Sequence, residues 1–237
     1  MDTAGFLNQI KRISFNERDA FLKINNKDQF ISISKALGYM EKPKDWLEIA
    51  TKCSQNASHE HFGKLPETIL EIWQNKSKKG SERGSKLEDY IHARIELNQT
   101  QCDGLLELNI NDQNLIGKCE SFDKVFDSTI SKLQHIGNEI WITDKNLNAS
   151  VRMDALFANP NLKKLYIIDW KNNDEITEHN RFNKYLDDSP FRGFPICDAV
   201  KMHFQVHTYK YILSQIIDKM DAPEFEYLKS YSIETLY

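Results

Sequence analysis

Glycine (9) and proline (6) are scarce for a chain of 237 residues, which argues against a disordered or fibrous protein. Cysteine is scarcer still. Cys53, Cys102, Cys119 and Cys197 stand far apart with no CxxC pair, which fits thiols in a reducing compartment better than a disulfide framework or a structural zinc site. No apolar run approaches membrane-spanning length, so no membrane is expected among the partners. The opening MDTAGFLNQIKRISF lacks both an apolar core and a small-residue cleavage site. The expectation is therefore a soluble, intracellular protein, in the cytoplasm or at a nuclear or viral replication site. The formal net charge of −4 announces no global nucleic-acid binder, although an acidic metal site and a local basic patch cancel in such a sum. There is no repeat at a solenoid or propeller period.

What is present is a core-forming composition, 40% hydrophobic, enough for one large domain or a catalytic core with a smaller helical lobe. Residues 1–79 read as a mostly helical region, with DWLEIATKC (45–53) after Pro43 and PETILEIWQNKSKK (66–79) opening on Pro66. Gly80 and Gly84 are expected to break the chain, with Ser85 capping a helix whose Leu87, Ile91 and Ile95 form one stripe to about Leu97. GLLELNI (104–110) has the pattern of a short strand. ESFDKVFDSTISKLQHIG (120–137) has the spacing of an amphipathic helix stopped by Gly137, within a helical insertion at about 111–137.

Three strands are expected next, over 139–143, 149–157 and 164–170, joined by short turns bearing Asn, Asp and Pro. A polar loop with the break SPFRGFP (189–195) leads to a long helix over about 198–219, and FEYLKSYSI (225–233) is a last strand candidate. The expected fold is thus α/β (α+β): over 80–237 a helix, a three-strand meander, a helix and a strand, with a mixed central sheet.

The stretch KKLYIIDWKNN (163–173) carries the chemistry. Its apolar run through Ile168 ends abruptly in Asp169, Trp170 and Lys171. Alternation along SVRMDALF puts Val151, Met153 and Ala155 on one face and Arg152, Asp154 and Leu156 on the other. Antiparallel neighbours would set Asp154 beside Asp169, and two carboxylates that close repel unless a cation or proton intervenes. Oxygen ligands of this kind suit Mg²⁺ or Mn²⁺. The bland alternative is a solvated Asp169–Lys171 ion pair, worth under about 1 kcal/mol.

RMDALF, eleven residues, then DWK resembles the core of the PD-(D/E)XK nuclease superfamily, a restriction-endonuclease-like fold. FQVHTYKYIL (204–213), with Gln205 and Tyr209 one turn apart, resembles the QxxxY motif of its RecB-like branch, and RGSKLEDYIHARIE (83–96) resembles that branch's first motif. In that motif Glu88 stands where the branch usually has His, and His92 where an acid would fall. The resemblance implies a metal-dependent deoxyribonuclease, exo- or endonucleolytic, acting through in-line attack by a metal-bound water. It implies that Asp154 and Asp169, the carbonyl of Trp170, and Glu88 or else His92 hold Mg²⁺ or Mn²⁺. Lys171 would serve the water, and Gln205 and Tyr209 would face the site and the DNA. Iron–sulfur relatives need one cysteine before the core and three clustered after it. Only Cys197 lies beyond the DWK strand, so no cluster is expected.

The run KSKKGSERGSK reads either as a solvated linker or as a phosphate-contacting rim through Lys78, Lys79, Arg83 and Lys86. Arg152 would either pair with Asp154 or touch a phosphate. His203 and His207 share a helix face and read as surface residues. The expected partner is DNA, together with replication, repair or recombination proteins. The rivals are an RNA endonuclease of the same fold and a nucleic-acid-binding module that has lost turnover.

Overall fold

The computed structural model describes residues 1–25, 44–172, 176–178, 185, 192–195 and 197–236. Part of the SPFRGFP loop and Pro43 lie outside them. The chain divides into two compact units: a sheet unit of Met1–Glu41 with Asp123–Tyr237, and a helical unit of Lys42–Phe122.

The sheet unit is α+β. Helix α1 (Thr3–Asn25) opens it, and after the helical unit come β1 (Gln134–Asp144), β2 (Ala149–Asn159) and β3 (Lys164–Ile168). The strands pair in chain order, β1 with β2 and β2 with β3 antiparallel. Asp144 closes the first hairpin by accepting from the backbone of Asn146 at 2.8 Å and Leu147 at 3.0 Å. Asn159 does the same in the second, accepting from Leu162 at 3.1 Å. These are the short Asn- and Asp-bearing turns the sequence predicts.

A long helix, Asp198–Asp218, then crosses to β4 (Ser232–Leu236), which lies parallel to β3. That helix is α6 in chain order, after the four helices α2–α5 of residues 42–128 described below. Two antiparallel steps and one parallel crossover make a mixed four-strand sheet. Helices α1 and α6 share one core with it, built on Phe6, Ile10, Ile140, Ile142, Val151, Met153, Leu165, Ile167, Ile212 and Leu213.

Three expectations are corrected here. Gly137 stops no helix. It lies inside β1, where Leu7 of α1 comes within 3.1 Å of the space a Cβ would occupy, so the absence of a side chain admits α1. The strand expected over 225–233 begins only at Ser232. Pro223–Ser230 is a 3₁₀ helix, because Pro223 sits at its start and Phe225 and Leu228, three apart, are both buried. Leu156 joins Val151 and Met153 in the same core, breaking the simple alternation of β2. The break lies beside the irregularity in β1, where the register with β2 shifts between His135↔Phe157 and Gly137↔Leu156.

In the helical unit, α2 (Trp46–Gln55) is capped by Asp45, which accepts from the Glu48 amide at 2.9 Å. Helix α3 (Pro66–Ile95) runs unbroken through Gly80 and Gly84, so the expected breaks are absent and Ser85 lies inside the helix rather than at its start. Each glycine costs about 1 kcal/mol against alanine. Buried Ile69 on one side and buried Leu87, Ile91 and Ile95 on the other hold both ends helical. The expected strand over 104–110 is instead α4 (Gln99–Leu108) and the turn after it. The alternation of Leu106, Leu108 and Ile110 misleads there, because Asn98 accepts from the Gln101 amide at 3.2 Å and starts a helix upstream. Helix α5 (Gln113–Ser128) also starts earlier and stops sooner than expected, ending before a 3₁₀ turn at Ile130–Lys132. No disulfide joins any of the four cysteines. No helix among the described residues is long and apolar enough to cross a membrane.

Two stability measurements check this account by urea denaturation. Gly80→Ala, with nothing within 4 Å of the added Cβ, is expected to stabilise by about 0.5–1 kcal/mol if α3 is continuous. Ile10→Ala, from the centre of the α1–sheet core, is expected to cost about 2–5 kcal/mol.

Candidate active site

The register Ala155↔Ile168 carries one step further to set Asp154 opposite Asp169. Two backbone bonds fix the pair. The Asp169 amide donates to the carbonyl of Leu236 at 3.0 Å, pinning the end of β3 to β4. The Trp170 amide donates to Asp154 Oδ2 at 2.8 Å, tying the β2 acid to the chain that follows β3. Asp154 and Trp170 are half-buried, whereas Asp169 is 1% exposed.

Helix α6 supplies the roof. Its first turn is anchored by Asp198, whose carboxylate accepts from the Thr177 hydroxyl at 2.8 Å. Buried Met202, Val206, Tyr209, Leu213 and Ile216 seat it on the core, which leaves Gln205 facing the acids. Gln205 Nε2 donates to Asp169 Oδ1 at 3.2 Å and to the Tyr209 hydroxyl at 2.5 Å, while Gln205 Oε1 accepts from Lys171 Nζ at 3.3 Å. The Lys171 ammonium also contacts Asp169 Oδ2. Rotating the amide by half a turn would aim its NH₂ at the ammonium, so the network itself fixes the orientation of Gln205.

Burial raises the Asp169 pKa above the ordinary carboxylate value, against the opposing pull of the Lys171 charge, the Lys171 hydrogen bond and the Asp154 carboxyl within hydrogen-bonding reach. Burial likewise raises Tyr209, further assisted by the charges of Asp169 and Asp154, so its hydroxyl keeps its proton. The site is thus a pair of facing carboxyls, one of which burial holds protonated to higher pH than usual, with one ammonium beside it.

Of the residues singled out from the sequence, Asp154, Asp169, Trp170, Lys171, Gln205 and Tyr209 form this cluster. Arg152 forms an ion pair with Glu139, across the β1–β2 ladder. Glu139 was invisible to sequence reasoning, because only the pairing of β1 with β2 brings it within reach of Arg152. Glu88 and His92 lie one turn apart on α3 of the helical unit, both half-buried, and His92 Nε2 has no hydrogen-bond partner among the described residues. Lys78 and Lys79 are exposed on the same helix. Arg83 is bound to Asp112 at 2.7 Å and Lys86 to Asn109 at 2.6 Å, so this basic run is helix rather than linker. His203 and His207 stack at 6.1 Å on the exposed face of α6. Comparisons with protein-family profiles, with curated proteins and with solved structures found no match.

A raised Asp169 pKa means that the folded chain holds a proton that the unfolded chain has already released. In metal-free protein, stability therefore falls as pH rises through the interval between the ordinary and the raised value. In urea melts with EDTA, Asp169→Asn is expected to be more stable than the wild type at neutral pH. That advantage should shrink on acidification, and an Asn variant less stable at neutral pH would contradict the burial account.

Proposed function

We propose that this chain is a divalent-metal-dependent nuclease that hydrolyses phosphodiester bonds of DNA, with the restriction-endonuclease-like core of the PD-(D/E)XK superfamily in its RecB-like branch. The observation that carries the reading is one cluster: Asp154 and Asp169 face each other across adjacent strands, the Lys171 ammonium touches Asp169, and Gln205 from α6 bridges them. The order of meander, crossover helix and parallel fourth strand agrees with it.

The donors suit Mg²⁺ or Mn²⁺. They are two hard carboxylates with the Trp170 carbonyl adjacent in sequence, and the raised Asp169 pKa marks a charge that a divalent ion would relieve. When bound, such an ion supplies Lewis acidity to the phosphate and lowers the pKa of water. The Lys171 ammonium would orient the attacking water and offset charge developing on the phosphate, and it could deprotonate the water only after giving up its own proton. Gln205 holds the Lys171 ammonium and the Asp169 carboxylate at fixed spacing, and protonated Tyr209 holds Gln205. Glu88, or His92 in its place, is the proposed helix-borne ligand, and Lys78, Lys79, Arg83, Lys86 and Arg152 are the proposed phosphate contacts.

The test incubates the purified chain with Mn²⁺ and, separately, labelled single-stranded DNA, duplex DNA and RNA. DNA cleavage is expected to vanish in EDTA and to fall by about 10²–10⁴ in Lys171→Ala. Cleavage of RNA alone would reassign the substrate, and equal rates in Lys171→Ala would overturn the enzyme. Mn²⁺ at about 100 times its Kd is expected to stabilise the wild type by about 2.7 kcal/mol and Asp154→Ala far less. Stabilisation without cleavage of any substrate would leave a binding module.

A further inference from the structure

A groove of about 610 Å³ opens inside the helical unit, between α3 and the turn joining α4 to α5. One wall is basic. Lys79, Arg83 and Lys86 follow one another at helical spacing on α3 and line it together. The other wall is formed by Leu108, Asn109, Asn111, Gln113 and Asn114 around Asp112, with the side-chain amides of Asn109 and Gln113 donating to the carbonyls of Leu105 and Ile110.

The internal bonds shape this groove for a ligand. Asp112 is engaged by Arg83 at 2.7 Å, and that hydrogen bond holds its carboxyl below the usual range. Asp112 also accepts from the Leu115 amide at 3.3 Å in the first turn of α5. Lys86 donates one of its three ammonium hydrogens to Asn109, which fixes the charge at the groove wall. Three cations face two acids, Glu82 and Asp112, leaving an excess of positive charge. Asn111, Gln113 and Asn114 are exposed, and Lys79 is exposed opposite them.

Cations alone describe a site for any anion. Amides add donor and acceptor pairs of the kind that recognise base edges, and the pairing edges of bases are open to such side chains only when the base is unpaired. We propose that this groove binds a phosphodiester of a single-stranded nucleic acid. The strand's phosphates would lie on Lys79, Arg83 and Lys86, and an unpaired base would lie against Asn111 and Asn114. The proposal rests on the nucleic-acid reading of the sheet unit and extends it by naming the form of the substrate. It also names residues, Asn111, Gln113 and Asn114, that no motif in the sequence marks.

The test measures binding of labelled single-stranded and duplex oligonucleotides to the full chain in EDTA, by fluorescence anisotropy across a salt series. The wild type is expected to prefer the single strand. Lys79→Ala/Lys86→Ala is expected to weaken single-strand binding roughly tenfold or more near 0.1 M salt and to reduce the slope of log K against log salt by about 1.4. Asn111→Ala/Asn114→Ala is expected to weaken single-strand binding while leaving that slope unchanged. Circular-dichroism melts verify that both variants fold. An unchanged slope in the lysine variant overturns the proposal, as does equal weakening of duplex and single strand in the amide variant. Displacement of the oligonucleotide by inorganic phosphate at constant ionic strength, with no effect of the amide variant, assigns the groove to a free anion and also overturns it. Because EDTA removes turnover from the readout, the groove stands or falls separately from cleavage.

Discussion

The acidic cluster depends on one pairing register. With Ala155 opposite Ile168, Asp154 meets Asp169. A slip of one residue would turn the carboxylate into the apolar core and bring Met153 or Ala155 to the face it left. The register is held by groups that take no part in the chemistry. Leu165 and Ile167 of β3 and Val151 and Met153 of β2 are buried in one core, and Asn159 closes the hairpin at its far end. Burial of apolar side chains thus does the positioning, and the acids occupy the places left over.

Placing a carboxylate at 1% exposure is unfavourable, and the neighbours of Asp169 offset this only in part. Lys171 supplies charge and Gln205 supplies a hydrogen bond, yet the Asp169 pKa still rises. Gln205 is suited to its place because one side chain both donates to a carboxylate and accepts from an ammonium. Glutamate there would repel Asp169, and lysine would repel Lys171. A cluster left short of positive charge in this way is stabilised by whatever cation enters it, which is the physical content of the proposed metal dependence. Lost stability in the empty site is the expected companion of a site built to hold an ion.

The parts legible in the sequence were those set by local pattern. The three strands of the meander, the crossover helix with Gln205 and Tyr209 a turn apart, and the meeting of Asp154 with Asp169 all follow from period-2 and period-3.6 spacing plus turn residues. What was hidden depends on distant contacts or on cooperativity. Gly80 and Gly84 read as breaks because their propensity is poor, but apolar stripes on both sides carry α3 across them. Leu106, Leu108 and Ile110 mimic a strand until the Asn98 cap is seen to start a helix before them. The membership of α1 in the sheet unit rests on Leu7 meeting Gly137 and on Phe6 and Ile10 entering the core, contacts more than a hundred residues apart in sequence. The pairing of Arg152 with Glu139 depends on the register of β1 against β2, which has no sequence signature.

The continuity of α3 changes the meaning of its charged residues. In a linker, Lys79, Arg83 and Lys86 would each sample many positions, and their contribution to binding a strand would be diffuse attraction. On one helix, at about 1.5 Å of rise per residue, they stand in a fixed row about 10 Å long. Arg83 and Lys86 are further held by Asp112 and Asn109, which ties the α4–α5 turn to the basic row. A fixed row imposes spacing and direction on any polyanion lying along it, which mobile charges do not. The two glycines, placed where sequence propensity asks for a hinge, therefore sit in the helix whose rigidity the proposed phosphate contacts would require.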